Sequence, residues 1–194
     1  MKIINVYTDG ACINNGKPNA KAGIGVYFGP NDNRNLSRTI PGKQTNNIAE
    51  LVAIIFAIIR LKKEIEENKT INIYSDSLYA IRCFTTYGRR LEESGFQSSH
   101  PIPNIEIIKK GLELMRPNIH LKYVKSHTGL KNEHSIGNEM ADRLAYQAIG
   151  KYLNKRMVRK YFEIRYEDRE KAKGMGMRWD WKKKKWYKMV PIIS

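Results

Sequence analysis

Residues 48–59 are apolar on nearly every side, and the run is broken by a single acid, Glu50. A helix that is apolar all round must be covered by the rest of its chain. Asn46 and Asn47 stand where they can cap it, and it is expected to reach about Glu67, where charged residues take over. The run is too short to cross a bilayer.

The neighbouring segments predict what covers this helix. Residues 3–9 (IINVYTD), 22–29 (AGIGVYFG) and 36–40 are rich in β-branched and aromatic residues. Turn signals separate them, Gly10 first and then GPNDNRN. Two further strands, 71–76 (INIYSD) and 120–125 (HLKYVK), alternate with helical stretches, SLYAIRCFTTY after the first and residues 137–149 after the second. A three-strand meander followed by strands alternating with helices predicts an α/β unit with a mixed sheet, antiparallel at one edge and parallel elsewhere.

Four acids fall in this framework where a solvated role is hard to find. Asp9 and Asp76 close apolar strands, Glu50 lies in the first turn of the buried helix, and Asp142 sits between Ala141 and Leu144 in the last helix. A buried carboxylate is costly unless it is paired or bound to a metal. Any one of them could be a helix cap or a strand-end turn. If all four converge, their mutual repulsion calls for divalent cations, and all-oxygen ligation favours Mg²⁺ or Mn²⁺ over zinc. Two such ions can activate a water and stabilise the leaving oxygen in phosphodiester hydrolysis.

Charge points to the same class of substrate. The 194 residues carry 35 Lys plus Arg against 19 Asp plus Glu, a formal charge of +16 that calls for a polyanionic partner. The excess is uneven. Residues 1–150 hold 20 basic and 14 acidic side chains, whereas residues 151–194 hold 15 and 5, so the shorter part carries +10. This predicts two units: 1–150, a linker or helical extension at 151–160, and a basic, aromatic-rich mini-domain at 161–194. With only Cys12 and Cys83 there is no disulfide framework. The opening MKIINVYTDG is interrupted by polar residues too early for an export signal. A cytoplasmic, intracellular protein without membrane partners is expected.

Several stretches in order, TDGACINNG at 8–16, AGIGVYFGP at 22–30, PGKQTNNIAE at 41–50, YSDS at 74–77, and SHTG with GNEMADRLA within 126–145, resemble ribonuclease H type 1. The resemblance covers nearly all of residues 1–150. It implies a ribonuclease H-like fold, a mixed five-stranded sheet flanked by helices, and a monomeric endonuclease. Such an enzyme cuts the RNA strand of RNA–DNA hybrids with two Mg²⁺ ions, Mn²⁺ being a possible substitute, and leaves 5′-phosphate and 3′-hydroxyl ends. Carried onto this sequence, the metal-binding carboxylates are Asp9, Glu50, Asp76 and Asp142, and His127 assists proton movement. Cys12, Asn14, Asn15, Asn46 and Asn47 match hybrid contacts able to read the 2′-hydroxyls that distinguish RNA. Lys43, Thr45 and Asn104 match a grip on a DNA-strand phosphate. Two features depart from the family pattern. The segment between His127 and Asp142 is about five residues longer and includes His134, read as solvated. The element after the third carboxylate's helix offers Tyr87, Phe96, Arg89 and Arg90 in place of a tryptophan- and lysine-rich protrusion. A non-catalytic hybrid or double-stranded RNA binder and another nuclease of the same fold are the competing readings.

The tail reads as a strand over 161–166, a short glycine-ended helix in EDREKAKGMG and a hairpin in MRWDWKKKKWYKMV, a small α+β unit. It resembles a small module found beside nucleic-acid enzymes. Some of Trp179, Trp181, Trp186 and Tyr187 must form its core. Of these tryptophans, one or two can face outward and, with Lys183 and Lys184, contact nucleic acid and aid hybrid binding.

Overall fold

The computed structural model describes residues 3–126, 132–150, 157–164 and 166–191. The chain divides after Lys151 into two units.

The first unit holds the expected mixed sheet, in the order β3-β2-β1-β4-β5. β1 (Ile3–Ile13), β2 (Lys21–Tyr27) and β3 (Leu36–Thr39) form the antiparallel meander. β4 (Thr70–Ser75) and β5 (Ile119–Tyr123) continue the sheet in parallel. β1 does not stop at Gly10 as expected but runs on to Ile13, paired with β2 as far as Ile13 opposite Lys21. The glycine is there for close approach: a Cβ at Gly10 would lie 2.3 Å from the backbone nitrogen of Glu50.

The buried helix forms in two pieces, α1 (Asn46–Arg60) and α2 (Lys62–Glu66), broken at the fully buried Leu61. Its N-cap is Thr45, whose hydroxyl accepts from the Ile48 amide at 3.2 Å; Asn46 and Asn47 are already helical. The helical stretch after β4 is likewise divided, into α3 (Leu78–Cys83) and α4 (Thr86–Glu93). α5 (Ile105–Leu114), to which the sequence reading gives no element, packs against α1. The last helix, α6 (Glu133–Ala148), begins four residues before its expected start, so part of the longer segment ahead of Asp142 is helix.

Strand alternation gives each face of the sheet its own cover. Val6 packs with Leu51 and Ile54 of α1 in the main core. Tyr7, Tyr27 and Tyr74 pack against Ala141 of α6 on the other side. Both faces are thereby covered, the usual condition for a sheet with parallel strands.

The second unit is a three-stranded antiparallel sheet, β6-β8-β7, with β6 (Met157–Phe162), β7 (Arg178–Asp180) and β8 (Lys185–Pro191). A 3₁₀ turn (Tyr166–Asp168) and α7 (Arg169–Gly174) lie between β6 and β7. The first strand thus starts before the expected 161–166, and residues 157–160, read as linker or helical extension, are strand paired to β8. Asp180, 9% exposed, ties this unit together: it accepts from the Tyr161 hydroxyl at 2.8 Å, Arg159 at 2.9 Å and the amides of Lys182 and Lys183. Among the described residues no helix is long and apolar enough to cross a membrane.

Candidate active site

Asp9 sits in the middle of β1, and Gly10 beside it lets the first turn of α1 come into backbone contact with the strand. That contact brings Glu50 to Asp9. The Gly10 amide donates to Asp9 Oδ1 at 2.7 Å and to Glu50 Oε2 at 3.1 Å, joining the two carboxylates through one N–H. Asp76 follows the last residue of β4, the parallel neighbour of β1, and so reaches the same point. One carboxylate oxygen each from Asp9, Glu50 and Asp76 lies within 4.8 Å of the others. Asp142 lies outside this closest trio. From α6 it bears on Asp9 through its charge and a side-chain hydrogen bond.

The cluster is electrostatically unfavourable on its own. Burial, followed by the charges of Glu50, Asp76 and Asp142, holds the Asp9 carboxyl well above the ordinary carboxylate range. Burial and then Asp76 push Glu50 up to about 8, against the opposing pull of the Gly10 amide. Buried, all-oxygen and crowded with negative charge, the donor set fits a hard divalent cation. Asp9, Glu50 and Asp76 would hold it, with Asp142 beside them.

Two further contributors stand beyond the expected site residues: Asn138, which the sequence reading does not single out, and the start of α6, whose His134 is expected to be solvated. Asn138, one helical turn before Asp142 on α6, is buried and donates from Nδ2 to Asp76 Oδ2 at 3.1 Å. Its Oδ1 is buried with no hydrogen-bond partner among the described residues. The spacing of four between Asn138 and Asp142 was a legible signal, since such residues share a helix face. Groups that orient a metal ligand typically matter by 10–100-fold. Asn138→Ala should therefore weaken divalent-metal affinity by about 10- to 100-fold, read by calorimetric titration of the intact chain.

The second contributor is the start of α6. His134 is not a solvated loop residue: its ring stacks on Tyr74 at 4.2 Å between centroids, and Nδ1 lies 3.1 Å from the Tyr7 hydroxyl. The Tyr7 hydroxyl also meets Glu133 at 3.3 Å, and burial and then that carboxylate push its phenol up. This aromatic stack fixes the first turn of the helix that carries Asn138 and Asp142.

The other expected residues fall into groups. Asn15 accepts from the Asn46 amide at 3.3 Å, and Asn46 Nδ2 reaches Glu50 at 3.5 Å, so this asparagine pair runs directly up to the carboxylates. Cys12 follows on β1 with its Sγ 3.8 Å from the Gln44 carbonyl, and Asn14 takes a positive φ of 53° just past the strand. Asn47 is in the first turn of α1, and Lys43 and Thr45 precede that helix. Asn104 opens α5 in a left-handed conformation, its Nδ2 donating to the Tyr79 hydroxyl at 2.9 Å. Phe96 packs against the main core beneath Lys109, which leaves Tyr87 as the exposed aromatic of that element. His127 lies outside the described residues. In the second unit Trp186, at 9%, is core, Trp179 is half-buried against it, and Trp181 is 83% exposed.

Residues 1–150 match the RNase H family. A ribonuclease H of Schizosaccharomyces pombe is 40% identical over 144 residues, covering 72% of this chain and 50% of that protein. A ribonuclease H of Caldanaerobacter subterraneus is 32% identical over 159 residues, covering 78% of this chain and 94% of that protein. The chain spans about half the length of the first of these. The solution structure of the PFV RNase H domain aligns with a TM-score of 0.59 at 26% identity, covering 77% of this chain and 94% of that one. With the sheet order, the carboxylate cluster and the matched residues in agreement, the chain belongs to the RNase H family.

Proposed function

We propose that this protein is an endonuclease that hydrolyses the RNA strand of RNA–DNA hybrids with two Mg²⁺ ions, for which Mn²⁺ can substitute, leaving 5′-phosphate and 3′-hydroxyl ends. The observation that carries this reading is the set of three carboxylate oxygens within 4.8 Å in a chain of this family. Loaded with two metals, such a donor set supplies an activated water and a stabilised leaving oxygen. Asp9, Glu50, Asp76 and Asp142 hold the ions, and Asn138 keeps the Asp76 carboxylate turned toward them. Asn14, Asn15, Asn46, Asn47 and Cys12 supply neutral contacts to RNA 2′-hydroxyls beside the metals. Lys43, Thr45 and Asn104 grip a phosphate of the DNA strand, and His127 moves a proton. The basic second unit raises affinity for the hybrid by linkage. We read the protein as a cytoplasmic monomer; Cys12 and Cys83 are both free thiols, consistent with a reducing compartment.

The test is cleavage of a labelled RNA–DNA hybrid in Mg²⁺, and separately in Mn²⁺, beside RNA–RNA and DNA–DNA duplexes of the same sequence. Cutting confined to the RNA strand of the hybrid, and lost in Asp76→Asn, is expected. Hybrid binding without cleavage in either metal would favour the binder reading; cutting of a DNA duplex would favour another nuclease of this fold.

A further inference from the structure

The second unit presents one feature its own folding does not need. Three of its large aromatics are committed: Trp186 is core, Trp179 packs edge-on against it at 5.6 Å, and Tyr161 holds Asp180. Trp181 is not committed in this way. Among the described residues it is the most exposed of the large hydrophobic side chains, and its one ring contact there is edge-on to Trp179 at 6.4 Å. That contact leaves the indole faces open.

The turn that follows Trp181 in the chain carries concentrated positive charge. Asp180 Oδ1 accepts from the amides of Lys182 and Lys183, and Lys184 takes a positive φ of 50°, so the four lysines 182–185 are held on a tight hairpin. Lys183 lies over the Tyr161 ring at 4.5 Å, and Lys185 pairs with Glu163 at 3.2 Å. Lys182 and Lys184 are exposed. The acids among these residues are answered from within the unit: Asp180 by Arg159, and Glu163 by Lys185. A cleft of about 550 Å³, walled by Trp179, Trp186 and Phe162 and edged by Lys184 and Lys185, opens in the same unit.

An exposed indole followed in the chain by exposed lysines on a held turn suits an unpaired base and its phosphates. In a duplex the base faces are covered by stacking, whereas in a single strand they are open, and every base offers a π-face. We propose that the second unit is a single-strand clamp: Trp181 stacks on an unpaired base, and Lys182 and Lys184 neutralise the flanking phosphates. Through it the intact chain prefers hybrids with an unpaired flank over blunt ones. Only this last preference rests on the hybrid-nuclease reading.

All three tryptophans of the chain, Trp179, Trp181 and Trp186, lie in this unit, so tryptophan emission of the intact protein reads the clamp alone. Without divalent metal, a single-stranded oligothymidine should quench that emission at concentrations where a blunt DNA duplex does not. By anisotropy of the labelled strand, Trp181→Ala should weaken binding about 5- to 150-fold, the range for loss of one stacked base, and Trp181→Tyr should retain most of the affinity. Lys182→Gln with Lys184→Gln should reduce the salt slope by about 1.4, at roughly 0.7 per single-strand phosphate contact. Equal binding of strand and blunt duplex, or unchanged affinity in Trp181→Ala, would overturn the clamp. In cleavage assays the parent should cut a flanked hybrid faster than a blunt one, and Trp181→Ala should cut the two at equal rates. Quenching by the single strand with no cleavage of any hybrid would overturn the nuclease reading and uphold the clamp.

Discussion

Asp9→Asn should lower hybrid cleavage by at least about 10³-fold and, in the same protein, raise the melting temperature of the metal-free chain at pH 8. The first effect follows from the site. Asp9 is the carboxylate on which the other three converge, and metal-assisted charge stabilisation is worth several kcal/mol, where each 1.36 kcal/mol is a factor of ten in rate. The second follows from the repulsion that makes the site a metal site. Asp9 and Glu50 both hold protons more tightly in the fold than an exposed carboxyl does, Glu50 up to about 8. A folded-state pKa raised above the unfolded value contributes stability that is present below the unfolded value, 4.5 for Glu50, and lost as pH rises through about 8. The metal-free chain should therefore melt at lower temperature as pH climbs from about 5 to 8, and a divalent cation should reverse the loss by binding only the folded state. Asp32 and Asp180, held down by Arg34 and by Tyr161 respectively, lose stability in the opposite direction, but only at acid pH below that window.

Asparagine keeps the oxygen that accepts from Gly10 and removes one buried charge. Its gain at pH 8 is expected to be about 1–3 kcal/mol, or roughly 3–10 °C for a chain of this size, with a flatter pH dependence. Thermal melts of both proteins in chelator at three pH values measure it. A mutant that is inactive and also less stable would mean that Asp9 serves the fold rather than the metal.

The carboxylates were legible because acids embedded in apolar strands and in an apolar helix violate the pattern around them. Asp142 was legible from helical spacing alone. What the sequence hid was mostly carried by small residues and by contacts distant along the chain. Gly10 looks like a turn after a strand, and nothing nearby in sequence says that α1 will lie against it. Thr45 outcompetes Asn46 and Asn47 as the cap because its hydroxyl meets the Ile48 amide, a choice of register that composition does not settle. α5 carries apolar residues at helical spacing, Ile105, Ile108 and Leu112, but Gly111 obscures the pattern; that glycine is needed because a Cβ would fall 2.0 Å from the Phe84 ring. His134 seemed solvated because its partners, Tyr7 and Tyr74, come from strands more than fifty residues away. In the tail, alternation established that some tryptophans face out, and only the sheet register, with Trp179 opposite Trp186, identifies Trp181 as the exposed one.

Gly25→Ala tests how closely the sheet and α6 must meet for the fourth carboxylate to arrive. Gly25 is the cross-strand partner of Asp9, and a Cβ there would stand 1.9 Å from the Ala141 carbonyl oxygen and 2.7 Å from the Ala145 nitrogen. Both obstacles are backbone of a helix already packed on the strand, so no side chain can swing aside. The helix has to move away, and the methyl is expected to cost about 3 kcal/mol or more, at the severe end of overpacking. Asp142 follows Ala141 directly, so the same displacement carries it away from Asp9. A shift of about 1 Å in a catalytic constellation can cost 10²-fold. Denaturant midpoints should therefore fall sharply for Gly25→Ala, and cleavage by whatever folds should drop about 100-fold with little change in hybrid affinity. Gly174→Ala is the control, because a Cβ there meets nothing within 4 Å and its φ is not in the left-handed range; it should leave stability and cleavage unchanged. Normal cleavage by a stable Gly25→Ala protein would show that α6 can retreat without taking Asp142 out of the site, and that the carboxylates of Asp9, Glu50 and Asp76 suffice.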